Sequence, residues 1–279
     1  MKAASDCYPC LRRLAYQAAG LATSDERLRA EAIREGLKIV DENFSHDVTT
    51  IAIATEIHRA IKGITKNPDP YRSMKDEEIR ISRELVGEIR PAYHQDFKGL
   101  LALSVLGNAI DFFRDLATVR EDLRQQVEFE IDDSGKFERK LEKASKLLFL
   151  ADNAGEVFFD LPLVKWLESF ASVIYVVKES SVQDDITVDD LKKSGLEGEL
   201  ETVITTGTAT PGVLFSMASA EFRREFEAAD LILAKGMGYY EALSELPGDR
   251  RVLHCLKAKC QPVADSLGVT LNSYVAMLR

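Results

Sequence analysis

Apolar residues recur at helical spacing through the first half of the chain, for example over residues 28–40 and 51–61. Such spacing predicts helices that each bury one face. The segment Asn67-Pro-Asp-Pro-Tyr71 interrupts the pattern, because two prolines so close together cannot continue a helix. Beyond it, the same reasoning predicts helices at 74–89, 97–113 and 118–127, followed by an irregular acidic stretch at 128–135.

From Lys146 onward the spacing changes to short apolar runs that alternate with helix-sized segments. This alternation predicts a mainly parallel β-sheet with helices covering both faces. The sequence therefore predicts an α/β protein with a helical domain at 1–140 and an α/β domain at 141–279. A break near 66–73 would divide the helical domain into two subdomains. The predicted strands are 146–151, 172–177, 201–205, 231–234 and 251–256.

Composition and charge exclude several classes of partner. The 279 residues are 46% hydrophobic and 29% charged, which is typical of a folded globular protein. The net charge of -10 argues against broad affinity for nucleic acid or an anionic membrane, and it makes a divalent cation the natural mediator for an anionic substrate. No apolar run approaches the roughly 18 residues of a membrane-spanning helix. The polar start Met1–Asp6 lacks the apolar core of a secretory signal, so we expect a cytoplasmic protein.

Four cysteines occur as two local pairs, Cys7 with Cys10 and Cys255 with Cys260. The two pairs could meet in a four-thiolate zinc site, or one pair could be redox-active. A cytosolic protein is seldom built on disulfides, although intracellular proteins of hyperthermophiles are an exception. The pattern favours buried or incidental thiols, because the pairs lie in opposite halves of the chain and the second is spaced Cys-x4-Cys.

The first predicted strand is followed by polar and small residues. Asp152 and Asn153 offer a carboxylate and a side-chain amide oxygen, which suit a hard cation such as magnesium or manganese. The small residues Ala154 and Gly155 would let backbone N–H groups at the start of the next helix approach a phosphate. The alternative interpretation is that Asp152 merely caps that helix.

Other polar residues follow the remaining strands. Asp185 could supply a second carboxylate to the same ion, or it could serve only in helix capping. The hydroxyl-rich loop around Thr208 could hold phosphate oxygens, or it could be a turn before a helix. Lys235, Lys257 and Lys259 follow apolar strands, where a merely solvated lysine is not the default expectation. A metal ion, hydroxyl groups and lysines at one sheet edge are the mixture that phosphoryl chemistry needs.

The order of these motifs resembles the damage-control phosphatase family, which was long described as a domain of unknown function. Some of its relatives were described as acidic-residue methyltransferases. The Cys-x-Pro-Cys at 7–10, the Asn-Pro-Asp-Pro-Tyr turn and the segment Gly107–Asp111 are similar to its prokaryotic branch. The motifs that carry the resemblance are Asp152-Asn-Ala-Gly-Glu156, Asp184-Asp-Ile-Thr187, Lys235-Gly-x-Gly-x-Tyr-Glu241 and His254-Cys-Leu-Lys257.

The resemblance implies a helical N-terminal region joined to a Rossmann-like, three-layer α/β/α sandwich. It also implies a divalent cation (manganese, nickel, cobalt or magnesium) bound by Asp152, Asn153 and Asp185, with Lys257 contacting the phosphate. The implied substrates are small phosphorylated metabolites, such as sugar phosphates, damaged nucleotides or phosphopantetheine forms. Met237 and Tyr239 depart from the amides expected in the Lys-Gly-Gln-Gly-Asn form, which leaves the substrate open. The full set of predicted substrate-binding residues is Asn108, Gly155, Glu156, Thr208, Lys235 and Lys259.

Two of these residues carry open alternatives. Asn108, with Asp111 on the same segment, could close the site from above or serve only in packing and capping. Glu156, like Asp185, could accept a proton from the attacking water.

The predicted mechanism is attack by a water whose pKa the cation lowers, with Lys257 and Lys235 stabilising the charge that develops. A carboxyl methyltransferase that uses S-adenosylmethionine is an alternative, although the chain lacks the glycine-rich dinucleotide loop followed by an acid. A non-catalytic protein that binds zinc through its cysteines is a second alternative. The sequence predicts neither the physiological substrate nor the oligomeric state.

Overall fold

The computed structural model describes residues 1–108, 126–248 and 250–279. The first part of the chain is helical, as its periodicity predicts, and the later part alternates strands with helices. The helices are α1 (Cys7–Ala22), α2 (Glu26–Asn43), α3 (Thr50–Thr65), α4 (Arg72–Ile89), α5 (Phe97–Gly107), α6 (Ser134–Leu141), α7 (Val157–Leu167), α8 (Val188–Ser194), α9 (Ala220–Ala228), α10 (Gly236–Leu243) and α11 (Gln261–Leu267). The strands are β1 (Phe129–Asp132), β2 (Lys146–Leu150), β3 (Ser172–Val177), β4 (Val203–Thr205), β5 (Leu231–Lys235), β6 (Val252–Lys257) and β7 (Tyr274–Leu278).

Within the described residues these strands form one seven-stranded sheet, in the order β1-β7-β6-β5-β2-β3-β4. Neighbouring strands are parallel, with the exception of the antiparallel pair β6 and β7. Parallel strands need crossover connections, and the helices between them lie on the faces of the sheet. The predicted α/β fold with a mainly parallel sheet is confirmed.

Two apolar cores, one on each face of the sheet, produce the three layers. Because successive residues of a strand point to opposite faces, Leu147 and Phe149 join one core while Leu148 and Leu150 join the other. The first core also contains residues of α4, α5 and α7, and the second contains residues of α9 and α10. Every residue of helix α5 from Leu100 to Gly107 is buried, which is typical of a helix that lies inside a core. Helices α1, α2 and α3 share a separate core.

The structure differs from the sequence-based expectation at one end of the sheet, where β1 and β7 lie side by side. The stretch 128–135, which was predicted to be irregular, contains β1, and β7 was not predicted. The sheet therefore begins before residue 141, although the division into two domains stays a prediction. The ends of the helices predicted at 97–113 and 118–127 lie partly outside the described residues, and so does Asp111. No helix in the described part of the chain combines the length and the apolar character needed to span a bilayer.

Two histidines are buried in these cores without a complete set of hydrogen bonds. His254 on β6 and His58 on α3 are 1% and 2% exposed, and the atoms His254 Nδ1 and His58 Nε2 have no hydrogen-bond partner. Burial lowers the pKa of each from the ordinary 6.5 to about 3. Both side chains are therefore neutral in the folded protein near pH 6.

We predict that acid destabilises the protein through these histidines. An unfolded histidine takes up a proton below pH 6.5, whereas the folded one resists protonation down to about pH 3, so stability falls as the pH falls through this window. Each histidine contributes a slope of about 1.4 kcal/mol per pH unit. Urea unfolding of wild type and His254→Gln between pH 4.5 and 7 measures how the free energy of unfolding depends on pH. This free energy should change less steeply with pH in the variant than in wild type. Equal slopes in the two proteins would contradict the prediction.

Candidate active site

Polar side chains follow four neighbouring strands of the sheet at their carboxyl ends. Asp152 comes just after β2 and Lys178 directly after β3, while Lys235 ends β5 and Lys257 ends β6. The carboxyl ends of parallel strands meet at one edge of a sheet, where α/β proteins bind their ligands. The candidate site therefore lies at this edge, over the centre of the sheet.

The loops after β2 and β3 are hydrogen-bonded to each other. The Ile186 N–H donates to the Asp152 carbonyl oxygen at 2.8 Å, and the Ala154 N–H donates to the Asp184 carbonyl oxygen at 2.8 Å. Asn153 and Asp185 form an isolated antiparallel bridge between these contacts. The three predicted cation ligands, Asp152, Asn153 and Asp185, therefore lie on adjacent, mutually supported loops.

The loop that carries Asp185 is also held from the helical part of the chain. Thr187 and Asp190 form a reciprocal capping box at the start of α8. The fully buried Lys75 of α4 pairs with Asp190 Oδ2 at 2.9 Å and with Asp69 Oδ2 at 3.0 Å. Asp69 belongs to the Asn-Pro-Asp-Pro turn, so this proline-rich break in the helices supplies a carboxylate that anchors the loop.

Burial and two neighbouring carboxylates disfavour the charged form of Asp152. Its carboxyl group is buried, and its Oδ2 accepts a hydrogen bond from Asn108 Nδ2 at 2.8 Å. Burial, followed by the charges of Glu156 and Asp185, raises the pKa of Asp152 well above its ordinary value, and the charge of Lys259 opposes that rise. Several carboxylates gathered in a buried place require positive charge nearby.

Asp185 faces a lysine that sequence reasoning missed. Lys178 has no exposed side-chain surface, and its Nζ forms an ion pair with Asp185 Oδ2 at 3.3 Å, although no hydrogen bond of good geometry reaches that oxygen. Burial raises the pKa of Asp185 to about 7, and the charge of Lys178 opposes the rise. Lys178 directly follows an apolar strand, which is the signal that singled out Lys235 and Lys257, so the same criterion could have found it.

The chain departs from the expected motif at Tyr239 and Met237. These two residues contact Lys178 and Lys259, respectively. The ring of Tyr239 lies 4.1 Å from Lys178 Nζ, and the Tyr239 hydroxyl is buried without a hydrogen-bond partner. Met237 Sδ accepts a hydrogen bond from the Lys259 N–H at 3.3 Å. The two departures therefore shape the surroundings of Lys178 and Lys259, and they leave the loops of Asp152 and Asp185 intact.

Glu156 is the centre of a buried hydrogen-bond network. Its Oε1 accepts from Asn153 Nδ2 at 3.0 Å and from Asn108 Nδ2 at 2.9 Å, and its Oε2 accepts from Lys235 Nζ at 2.8 Å. Lys235 Nζ also donates to Asp160 Oδ1 at 2.7 Å and to the Ser104 carbonyl oxygen at 3.0 Å. Burial alone would lower the pKa of Lys235, but Asp160 and Glu156 outweigh it, so the pKa lies above its ordinary value.

The remaining predicted substrate-binding residues have different surroundings. Lys257 lies over the ring of Tyr274, with Nζ 5.3 Å from the ring centre, and its backbone N–H donates to Asn108 Oδ1 at 3.3 Å. Lys259 is exposed, and its charge acts on Asp152. Thr208 is buried, with its hydroxyl 2.9 Å from that of Thr210, and the described contacts do not join it to the carboxylates. These residues stay predicted substrate contacts.

Gly155 has a packing role that its sequence context did not reveal. A Cβ atom at this position would lie 2.7 Å from Ser82 Oγ and 3.1 Å from Glu78 Cβ, both on α4. A larger residue would therefore push α4 away from the turn at 154–156. The sequence suggested that the backbone at Gly155 approaches a phosphate closely, and this stays a prediction.

The donor set fits a hard divalent cation. Two carboxylates and one amide oxygen are the ligands that magnesium and manganese prefer. The buried Asp185 Oδ2 has no hydrogen-bond partner, and the Asp152 carboxyl group is destabilised in its charged form. Among the described residues no group of three or more His, Cys, Asp or Glu side chains is placed to hold a metal, so the Asn153 amide would have to complete the set.

The cysteines do not form one four-thiolate group. Cys255 is fully buried on β6, where burial raises the pKa of its thiol and the charge of Lys235 opposes the rise. Burial raises the pKa of Cys260 to about 11, with smaller contributions from Glu241 and the thiols of Cys7 and Cys10. None of the four cysteines belongs to a described group of three or more side chains placed to hold a metal.

Comparison with known proteins identifies relatives across the whole chain. Residues 3–275 match the family model described as the damage-control phosphatase ARMT1-like domain. A damage-control phosphatase of Archaeoglobus fulgidus is 33% identical over 285 residues, covering 99% of each chain. A damage-control phosphatase of Pyrococcus horikoshii is 32% identical over 285 residues, covering 99% of this chain and 98% of the relative. An uncharacterised protein of Methanocaldococcus jannaschii is 32% identical over 293 residues, covering 100% of this chain and 96% of the relative.

A solved structure has the same fold. The crystal structure of a DUF89 family protein from Pyrococcus horikoshii superimposes with a TM-score of 0.91 at 31% identity, covering 100% of this chain and 99% of that one. The overall fold described above is therefore shared with the Pyrococcus horikoshii protein.

We predict that Gly236→Ala disrupts the site. Gly236 has a φ of +75°, which disfavours alanine, and a Cβ atom there would lie 1.9 Å from Asp152 Oδ2. Strain of this kind costs about 1–3 kcal/mol even before the clash is counted. Denaturant unfolding should show a loss of stability at least that large.

The matched control is Gly20→Ala in the exposed part of α1, where a Cβ atom would meet nothing within 4 Å. That change should leave stability unchanged or raise it by about 0.4–1 kcal/mol. Equal stability of Gly236→Ala and wild type would show that the described approach of Gly236 to Asp152 is wrong.

Proposed function

This chain belongs to the family defined by the damage-control phosphatase ARMT1-like domain, and on that premise we propose that it is a metal-dependent phosphatase of small phosphomonoesters. Membership of the family supports a phosphatase role. The metal dependence and the class of substrate are parts of the proposal. Sugar phosphates, damaged nucleotides and phosphopantetheine forms are the substrates to test.

One observation carries the proposal: buried carboxylates on adjacent loops lack sufficient compensating charge. The loops of Asp152 and Asp185 are fixed to each other through main-chain hydrogen bonds, so the two carboxyl groups cannot move apart freely. Burial raises the pKa of both. A divalent cation bound by Asp152, Asn153 and Asp185 would offset this repulsion, which explains why a protein would keep such a costly arrangement.

The residues of the chain would divide the remaining work. The cation, when bound, supplies Lewis acidity and a nucleophile at neutral pH. Asp152, Asn153 and Asp185 hold it at the carboxyl end of the sheet, and Lys178 restrains the Asp185 carboxylate. Lys257 and Lys259 bring positive charge to the same edge, where it would stabilise the oxygens of the transferring phosphoryl group.

Lys257 is better suited than Lys235 to contact the phosphate. Lys257 is only partly buried, whereas Lys235 is fully buried and its three donors already have acceptors. The Asn108 side chain joins the Lys257 backbone to Asp152, so the end of β6 that carries the lysine is held beside a proposed cation ligand.

We predict that hydrolysis of p-nitrophenyl phosphate by metal-stripped protein returns when manganese, nickel, cobalt or magnesium is restored singly. Asp152→Ala should remove this activity because a cation ligand is lost. Asp47→Ala is the matched control, since Asp47 has a side chain that is 91% exposed. Full activity of Asp152→Ala, or methyl transfer from S-adenosylmethionine without hydrolysis, would contradict the proposal.

We further predict that Lys257→Met lowers kcat by roughly 10²-fold, the usual effect of removing one group that stabilises charge in the transition state. The affinity for manganese, measured by calorimetry, should stay close to that of wild type because Lys257 is not a ligand. Lys140→Met, at an exposed position on α6, should leave kcat unchanged. A Lys257→Met protein with normal kcat would exclude Lys257 from the phosphate site.

A further inference from the structure

The side-chain amide of Asn153 has two ends, and only one of them can bind a cation. Its oxygen Oδ1 is a ligand, whereas its nitrogen Nδ2 is a donor that a cation repels. Rotation about the last side-chain bond exchanges the two ends at almost no steric cost. A protein that uses this residue as a ligand therefore needs another group to fix the orientation of the amide.

Glu156 is the group that fixes it. Asn153 Nδ2 donates to Glu156 Oε1 at 3.0 Å, which leaves Oδ1 as the end that points away from the carboxylate. Turning the amide over would place two acceptor oxygens against each other in a buried position. Such an unpaired and repulsive contact is destabilising in a buried position, so Glu156 strongly favours one orientation.

The same carboxylate orients a second amide. Asn108 Nδ2 donates to Glu156 Oε1 at 2.9 Å and to Asp152 Oδ2 at 2.8 Å, while Asn108 Oδ1 accepts from the Lys257 N–H at 3.3 Å. Reversing Asn108 would break all of these contacts together. Glu156 therefore also determines how Asn108 restrains the Asp152 carboxylate.

Glu156 can remain in this buried position because Lys235 balances its charge. Glu156 is 2% exposed and Lys235 has no exposed surface. The Lys235 ammonium group has three hydrogens, and the three acceptors within reach are Glu156 Oε2, Asp160 Oδ1 and the Ser104 carbonyl oxygen. No donor of Lys235 remains for a phosphate, so the lysine acts within the protein.

We propose that Glu156 is a positioning residue, which turns the Asn153 amide so that its oxygen faces the cation, and that Lys235 acts through Glu156. The inference rests on the proposed function, because it concerns how the chain presents a ligand to the cation. It assigns Glu156 and Lys235 a role different from substrate contact and from proton transfer.

The test is a double-mutant cycle read out as manganese affinity, measured by calorimetry or electron paramagnetic resonance on metal-stripped protein. In Glu156→Gln a single acceptor oxygen remains, and the Lys235 ammonium group takes it. The new Nε2 then faces the two asparagines and turns the Asn153 amide over. We expect manganese affinity to fall about 10–100-fold, the usual range for loss of a group that orients a metal ligand.

The second arm uses Asn153→Asp, whose carboxylate has two equivalent oxygens and therefore no orientation to fix. In that background Glu156→Gln should cause a clearly smaller loss of manganese affinity, the remainder being the effect that passes through Asn108 to Asp152, whereas a role in overall folding or charge would produce the same loss in both backgrounds. An equal loss of manganese affinity in the wild-type and Asn153→Asp backgrounds would overturn the positioning role and leave the proposed function standing. Absence of manganese binding by folded wild-type protein would overturn the proposed function and this inference together.

A rescue experiment keeps the inference falsifiable if Asn153→Asp does not fold. Adding Lys235→Met and Asp160→Asn to Glu156→Gln removes the ammonium group that holds the amide oxygen without leaving Asp160 as an unpaired buried charge, so that oxygen is free to face the asparagines again. Thermal melting checks that each variant is folded. Manganese affinity of the combined variant should exceed that of Glu156→Gln alone, and an equal or lower affinity in a folded protein would overturn the role of Lys235.

Discussion

Pairing of charges that have been removed from water is the constraint on which this structure depends. In the described part of the chain, Lys75, Lys178 and Lys235 have no exposed side-chain surface, and each faces at least one carboxylate. An isolated buried charge costs several kcal/mol even after relaxation, so each lysine and its partners must be kept or lost together. The carboxyl end of the sheet is built around these pairs.

The pairs also divide the carboxylates by role. Glu156 and Asp160 are matched by Lys235, and Asp69 and Asp190 are matched by Lys75, so these four have protein partners for their charge. Asp152 has no lysine within ion-pair distance among the described contacts, and Asp185 has Lys178 at 3.3 Å without a good hydrogen bond. The incompletely balanced pair lies where the loops meet, which is the place that we propose for the cation.

Much of this arrangement follows from the sequence. The run Leu147–Leu150 predicts β2 because strands buried on both faces are continuously apolar, and Asp152 then marks the end of a strand. The partners of buried lysines cannot be predicted in this way, because Lys75 meets Asp190 only after helix and loop have packed together. β1 also escaped prediction, because an edge strand of alternating exposure, such as Phe-Glu-Ile-Asp at 129–132, resembles an acidic loop. The role of Asn108 depends on three contacts from distant segments, which local patterns do not encode.

The position of β7 has a consequence for the order of folding. In the sheet β7 lies between β1 and β6, and β1 has β7 as its only neighbouring strand in the described chain. The ribosome makes β1 well before β7, so β1 must wait without a partner while β2, β3 and β5 can already assemble. Pairings that join distant parts of a chain form slowly and leave strand edges exposed in the meantime. Completion of the sheet, and not formation of the site edge, is therefore the step at which a chaperone would have most to protect.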